Sequence, residues 1–177
     1  MNTQERINWA TKNSSYVANV LKHVWLSELL RYLWQHHAGS KAQIYQAEVD
    51  DSGYDIVLTL NGITRHIQLK ASHELAKTAW QDIHLELACA IGGCVVWMLY
   101  DPATWQIRSY RFFGGTPGNP LPALDGFDVA QRVFPNRQGV LPPRPNVRRV
   151  RRANFTTIAT LEQLVTTLFD LPTPVPK

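Results

Sequence analysis

Residues 54–70 read YDIVLTLNGITRHIQLK. Two strand-like runs, Tyr54–Leu60 and Ile63–Lys70, are separated only by Asn61-Gly62. Asn-Gly between alternating runs is the strongest short hairpin signal, because both residues accept the positive φ of a tight turn. A two-residue turn fixes register, so pairing is counted back from it. Leu60 faces Ile63, Thr59 faces Thr64, Val57 faces His66, Ile56 faces Ile67, and Asp55 faces Gln68. Side chains alternate along each strand. One face therefore carries Tyr54, Ile56, Leu58, Leu60, Ile63, Ile67 and Leu69, with Arg65 the exception. The other carries Asp55, Val57, Thr59, Thr64, His66, Gln68 and Lys70. Opposite Cβ atoms lie roughly 5 Å apart, which makes Asp55 and Gln68 neighbours with Lys70 two residues along. A half-exposed hairpin with one wet face would give the same alternation. However, Asp55 and Lys70 lie away from the turn, toward the middle of a sheet.

On the N-terminal side, apolar positions at helical spacing predict a helix from Ser14 or Ser15 to about His37, stopped at Gly39. Glu28 falls on its apolar-aromatic stripe among Leu21, Val24, Trp25 and Tyr32. A carboxylate there is costly to bury unless it is paired or holds a cation. It could also reach water at the stripe's edge, or pair with Arg31 or Lys22. An extended stretch, Ala42–Val49, leads to the acidic residues Glu48, Asp50 and Asp51. On the C-terminal side, Leu75, Ala79, Ile83, Leu87 and Ala90 predict a second helix over Ser72–Ala90, ended by Gly92-Gly93. His73 and Glu74 would line a cleft at its start. Cys94–Tyr100 reads as a buried strand and Trp105–Phe113 as another. Residues 114–145 are rich in Gly and Pro and read as loops. The segment RPNVRRVRR follows, then a final helix over Leu161–Leu168 and a proline-broken tail, 171–177. This order predicts an α/β domain with a mixed sheet flanked by helices.

The 177 residues, 45% hydrophobic and 18% charged, predict one globular domain. Its core would span about 14–113, with 114–177 as a loop-rich extension. A net charge of +4 favours a polyanionic partner. Six Trp residues are read mainly as core. Cys89 and Cys94 lie in an apolar stretch without metal-site spacing and read as buried hydrophobes in a reducing compartment. With no apolar leader and no apolar run long enough to span a bilayer, the expectation is a soluble, cytoplasmic protein. No P-loop or Gly-x-Gly-x-x-Gly occurs.

A helical Glu, an Asp on one hairpin strand and an acidic-or-Gln-x-Lys on the next resembles the PD-(D/E)XK nuclease superfamily. The matching residues are Glu28 in WLSELL, Asp55 in GYDIVL and Gln68-Leu69-Lys70 in HIQLKAS. The resemblance covers roughly residues 14–100 and implies a restriction-endonuclease-like core. Gln68 stands where most members carry Glu or Asp, as in the Gln-x-Lys variants. The implied cofactor is Mg²⁺ or Mn²⁺, with Asp55, Gln68, the Leu69 carbonyl and Glu28 as ligands. Such an ion lowers the pKa of water and neutralises developing charge. Lys70 would position the attacking water or stabilise the phosphorane, making Lys70, Asp55, Gln68 and Glu28 the implied catalytic set.

Arg144, Arg148, Arg149, Arg151 and Arg152 put five Arg in nine residues, which reads as a phosphate-contact strip or a solvated strand edge. His66 shares the Gln68 face and would contact a phosphate. His36-His37 would meet a helix C-terminal dipole. The expectation is a metal-dependent nuclease acting on DNA. The alternative is an inactive nuclease-fold protein that binds nucleic acid or serves as an accessory or immunity protein. Whether it dimerises to cut both strands is left open.

Overall fold

The computed structural model describes residues 1–46 and 53–172. The hairpin forms with the expected register: β2 (Ile56–Leu60) pairs antiparallel with β3 (Ile63–His73), Leu60 opposite Ile63 and Ile56 opposite Ile67. The turn residues Asn61 and Gly62 have φ of 49° and 82°, the left-handed pair that a two-residue hairpin demands. An edge strand β1 (Gln43–Gln46) lies beside β2. Beyond β3 come β5 (Gly93–Tyr100), parallel to it, then β6 (Ile107–Gly114) and β9 (Thr156–Ile158). The six strands form one mixed sheet in the order β1-β2-β3-β5-β6-β9.

The central strand β5 is buried on both faces, as a strand sandwiched between two layers must be. Cys94, Val96 and Met98 enter one core, while Val95 and Trp97 enter the other. Helix α2 (Ser14–His36) covers the first core through Val17, Leu21, Trp25, Leu29 and Leu33, together with α4 (Leu161–Phe169). A shorter helix α1 (Thr3–Lys12) precedes α2 and starts at an Asn2/Glu5 capping box. The residue at the N-terminal boundary of α2 is Asn13, not Ser14 or Ser15, and its side chain makes no cap hydrogen bond.

The second core differs from expectation. Residues 72–90 are not one helix. The chain continues as strand to His73, turns, forms β4 (Trp80–His84), and makes only a one-turn helix α3 (Glu86–Cys89). Strand β4 pairs with β8 (Pro143–Arg151), the Arg-rich segment, and β8 pairs with β7 (Asp128–Gln131). This three-stranded sheet closes the second core, with Ile83, Leu87 and Val150 against Val95, Trp97 and Phe113. The segment read as an extension thus supplies β7, β8, β9 and α4 to the two sheets and both cores. Cys89 is exposed rather than buried, and only Cys94 is a core thiol, pushed up to about 12 by burial. Of the Trp residues, Trp25 and Trp97 are buried while Trp9, Trp34 and Trp80 are exposed.

Arg65 is the polar member of the apolar face, as its register requires. It is fully buried on the core face. Its guanidinium donates to the carbonyls of Leu168 (2.9 Å) and Thr167 (3.3 Å) at the end of α4, and to those of Gly115 (2.9 Å) and Thr116 (3.3 Å). Four carbonyls, two of them at the negative end of the α4 dipole, are met by one guanidinium. Burial pulls this Arg below its ordinary pKa, but the four acceptors keep its charge compensated. Arg65 thereby locks the hairpin to α4. Among the described residues, no helix is long and apolar enough to cross a membrane.

Candidate active site

Gln68 and Lys70 project from the same face of β3 into a cavity of about 290 Å³. Its other walls are Gly53, Asp82 and His84 of β4, and Arg144 and Val147 of β8. The cavity therefore lies where the second sheet meets the β3 face of the first. Gly53, at φ +74°, approaches so closely that a Cβ there would lie 2.7 Å from the His84 Cβ. Asp82 bonds Arg149 (3.2 Å) and lies 3.6 Å from Arg144. That ion-pair set places two guanidinium groups around the entrance.

Gln68 presents a buried acceptor without a partner. Its Oε1 makes no hydrogen bond among the described residues. A buried carbonyl-type oxygen in this state costs free energy unless a donor or cation meets it.

Asp55 lies just before β2 and does not line the cavity. Its backbone N–H donates to the carbonyl of Ile67 (2.9 Å), the residue that Ile56 already faces, so the ladder stops at Ile56 and Asp55 is not the counted partner of Gln68. Its Oδ2 accepts the N–H of Leu69 at 2.6 Å. In an extended strand the N–H and C=O of one residue point to the same edge. The Leu69 carbonyl therefore faces the same edge as the Asp55 carboxylate. The hairpin brings the Asp55 carboxylate against Leu69, between Gln68 and Lys70 in sequence, but through a bend at Asp55 and not through the counted Asp55–Gln68 pairing.

Glu28 does not join them. It lines a separate cleft with Arg31, Tyr32, Arg108, Tyr110 and Thr160, formed by α2, β6 and the start of α4. Burial raises its carboxyl pKa, and the neighbouring Arg31 opposes that shift. Glu28 in turn adds to the burial that raises the Tyr110 phenol. Because Glu28 faces the helix-covered side of the sheet, it cannot share the Gln68–Lys70 cavity on the other side. Glu48, Asp50 and Asp51 lie outside the described residues.

His66 is held away from the cavity. Its Nδ1 pairs with the Ile91 carbonyl (2.9 Å), and its ring packs edge-on against Tyr54 at 4.9 Å. Tyr54 accordingly sits on the His66 side, not with Ile56, because the chain bends before β2 begins. His73 ends β3 instead of starting a helix; burial lowers its pKa. The Arg residues of β8 divide. Arg148 donates to Pro145 and Val147 carbonyls within its own strand. Arg149 stacks over Trp80 at 4.7 Å while bonding Asp82. Arg151 and Arg152 are exposed. Burial, then the positive charge of Arg152, holds Arg111 below its ordinary pKa.

Sequence reasoning missed Asp82, His84 and Gly53. Within β4 only Ile83 is buried, so the strand leaves no apolar alternation to read in the sequence. Among the described residues, no group of three or more His, Cys, Asp or Glu gathers as a metal site. Comparison with models of protein families, with curated proteins and with solved structures finds no match.

Proposed function

We propose that the chain is a metal-dependent nuclease of the PD-(D/E)XK type, acting on DNA through the Asp55, Gln68 and Lys70 cluster of the hairpin. The observation that carries this reading is the buried, unpartnered Gln68 Oε1 in a cavity shared with Lys70. Mg²⁺ is commonly held by one or two carboxylates plus substrate phosphates, and keeps several waters. One carboxylate (Asp55), one amide oxygen (Gln68) and the Leu69 carbonyl fit that limited demand. Glu28 is not part of this donor set. A bound divalent ion would supply an activated water and a counter-charge for the leaving oxygen.

The chain's own residues would do the rest. Lys70 places a compact positive charge against the attacked phosphate or its water. Arg144, tethered near Asp82, would hold a neighbouring phosphate at the cavity mouth. Trp80 with Arg149 and Arg151 offers a stacked cationic surface beside it, suited to a phosphate backbone.

The test is DNA cleavage with Mg²⁺ or Mn²⁺ by wild type, Asp55→Ala and Lys70→Ala. The expected outcome is a loss of about 100-fold or more in each variant, the scale of removing one charge-stabilising group. Equal cleavage by wild type and both variants would sink the proposal. A second reading, a nucleic-acid-binding descendant that no longer cuts, draws on one observation: Glu28 lies in another cleft. It predicts salt-sensitive DNA binding without divalent-ion binding.

A further inference from the structure

Between Asp128 and Glu162 the chain carries no carboxylate, yet it holds seven Arg residues. From this acid-free stretch projects the β7–β8 loop, 132–142. Its tip is built rather than slack. The Asn136 N–H donates to the Val140 carbonyl (2.8 Å), and Asn136 Oδ1 accepts the N–H groups of Gln138 and Val140, each at 3.0 Å. The Arg132 N–H donates to the Pro142 carbonyl (2.9 Å) at the base. On this ordered arm Val133 and Phe134 are 83% and 80% exposed. Phe112, Phe113, Phe155 and Phe169 are all buried. Presenting an aromatic ring to water from a fixed turn marks a contact surface.

Arg144 connects the arm to the candidate site. It lines the cleft of about 550 Å³ along the arm, with Arg132, Phe134 and Pro142, and it also lines the Gln68–Lys70 cavity. We propose that the arm is a wedge for unstacked bases in locally opened DNA. Phe134, flanked by Val133, stacks on or beside an exposed base, while Arg132, Arg137 and Arg144 hold the adjoining phosphates. Apolar side chains inserted beside bases, with Arg on the backbone, are a recurring way of gripping distorted duplexes. The occupant is argued from charge and continuity. Seven Arg residues, answered across the sheet by Asp82, fit a polyanion, and the Arg144 link leads that polyanion to the cavity. The four exposed apolar side chains of the arm, Val133, Phe134, Val140 and Leu141, offer too little area for an ordinary protein interface, which buries about 1,200 Å² or more. The inference rests on the DNA reading of the site and adds what form of DNA it would select.

The test is binding without divalent ions, so that no cleavage intervenes. The probes are a fluorescein-labelled paired duplex and the same duplex with a two-nucleotide bulge carrying 2-aminopurine. Wild type is expected to favour the bulge and to change the 2-aminopurine signal. The Val133→Ser/Phe134→Ser variant is expected to lose about tenfold or more on the bulge and little on the paired duplex. Both residues are exposed, so the variant's circular dichroism and melting should match wild type. Retained bulge preference in the variant would overturn the wedge, as would equal loss on both duplexes. Phe134-dependent binding to phosphatidylserine vesicles with no bulge preference would overturn it in favour of a membrane contact. A chain that prefers the bulge through Phe134 yet never cleaves supports the wedge while sinking the nuclease reading.

Discussion

Glu28 shows how a single residue can satisfy a pattern and miss the site. Its place on an apolar helical stripe correctly signals partial burial, but the stripe does not reveal which side of the sheet the helix covers. The desolvated carboxylate has a pKa raised above its ordinary 4.5. The folded state then binds the proton more tightly than the unfolded state. Any stability from this group is present below pH 4.5 and lost as pH rises through its folded value. Glu28→Gln should therefore raise the melting temperature at pH 7, with the gain disappearing below about pH 4.5, and should leave DNA cleavage intact. Melting curves across pH check the first part. A Gln variant that loses cleavage without losing stability would return Glu28 to the active set. Gln68 presents the reverse case. Its neutral side chain looked like a defect in a metal site, but its buried Oε1 has no hydrogen-bond partner among the described residues and so keeps an acceptor open for the proposed ion.

At the scale of elements, the hairpin was legible because its information is local. Asn61-Gly62 sets the turn, and the turn sets the register from Leu60–Ile63 to Ile56–Ile67 as counted; only the next pair fails, where Asp55 bonds the Ile67 carbonyl. The strand β4 was not legible, because its partner β8 lies more than 60 residues away, with Asp82 opposite Arg149. Local periodicity over 72–90 suits a helix, and only the non-local ladder decides against it. The Arg cluster was visible as charge but not as a strand, since Val147 and Val150 alone face the core. Gly53 joins these elements. Its positive φ and its close approach to His84 allow β4 to close over Gln68. Gly53→Ala should cost roughly 1–2 kcal/mol from the left-handed backbone alone, and cleavage should fall further as the cavity walls part. Chemical denaturation paired with cleavage rates measures both. Unchanged stability and rate would show that Gly53 does not shape the cavity.

The whole molecule is two cores on opposite sides of one mixed sheet, with the candidate site where a second sheet meets that sheet on the side away from α2 and α4. Helices α2 and α4, with Arg65 as their link to β3, hold the hairpin rigid from behind. The second sheet brings Asp82, His84 and Arg144 to its front. The net charge of +4 understates the asymmetry, because seven Arg and no carboxylate occupy residues 129–161. DNA binding by this surface should weaken steeply with salt. The central claim is that Asp55 and Gln68 together form a divalent-ion site beside Lys70. Calorimetric titration with Mn²⁺ tests it most directly, using wild type, Asp55→Ala and Gln68→Leu. The account predicts one Mn²⁺ bound per wild-type chain, lost in Asp55→Ala and weakened in Gln68→Leu. No Mn²⁺ binding by wild type, or equal binding by all three proteins, would contradict it.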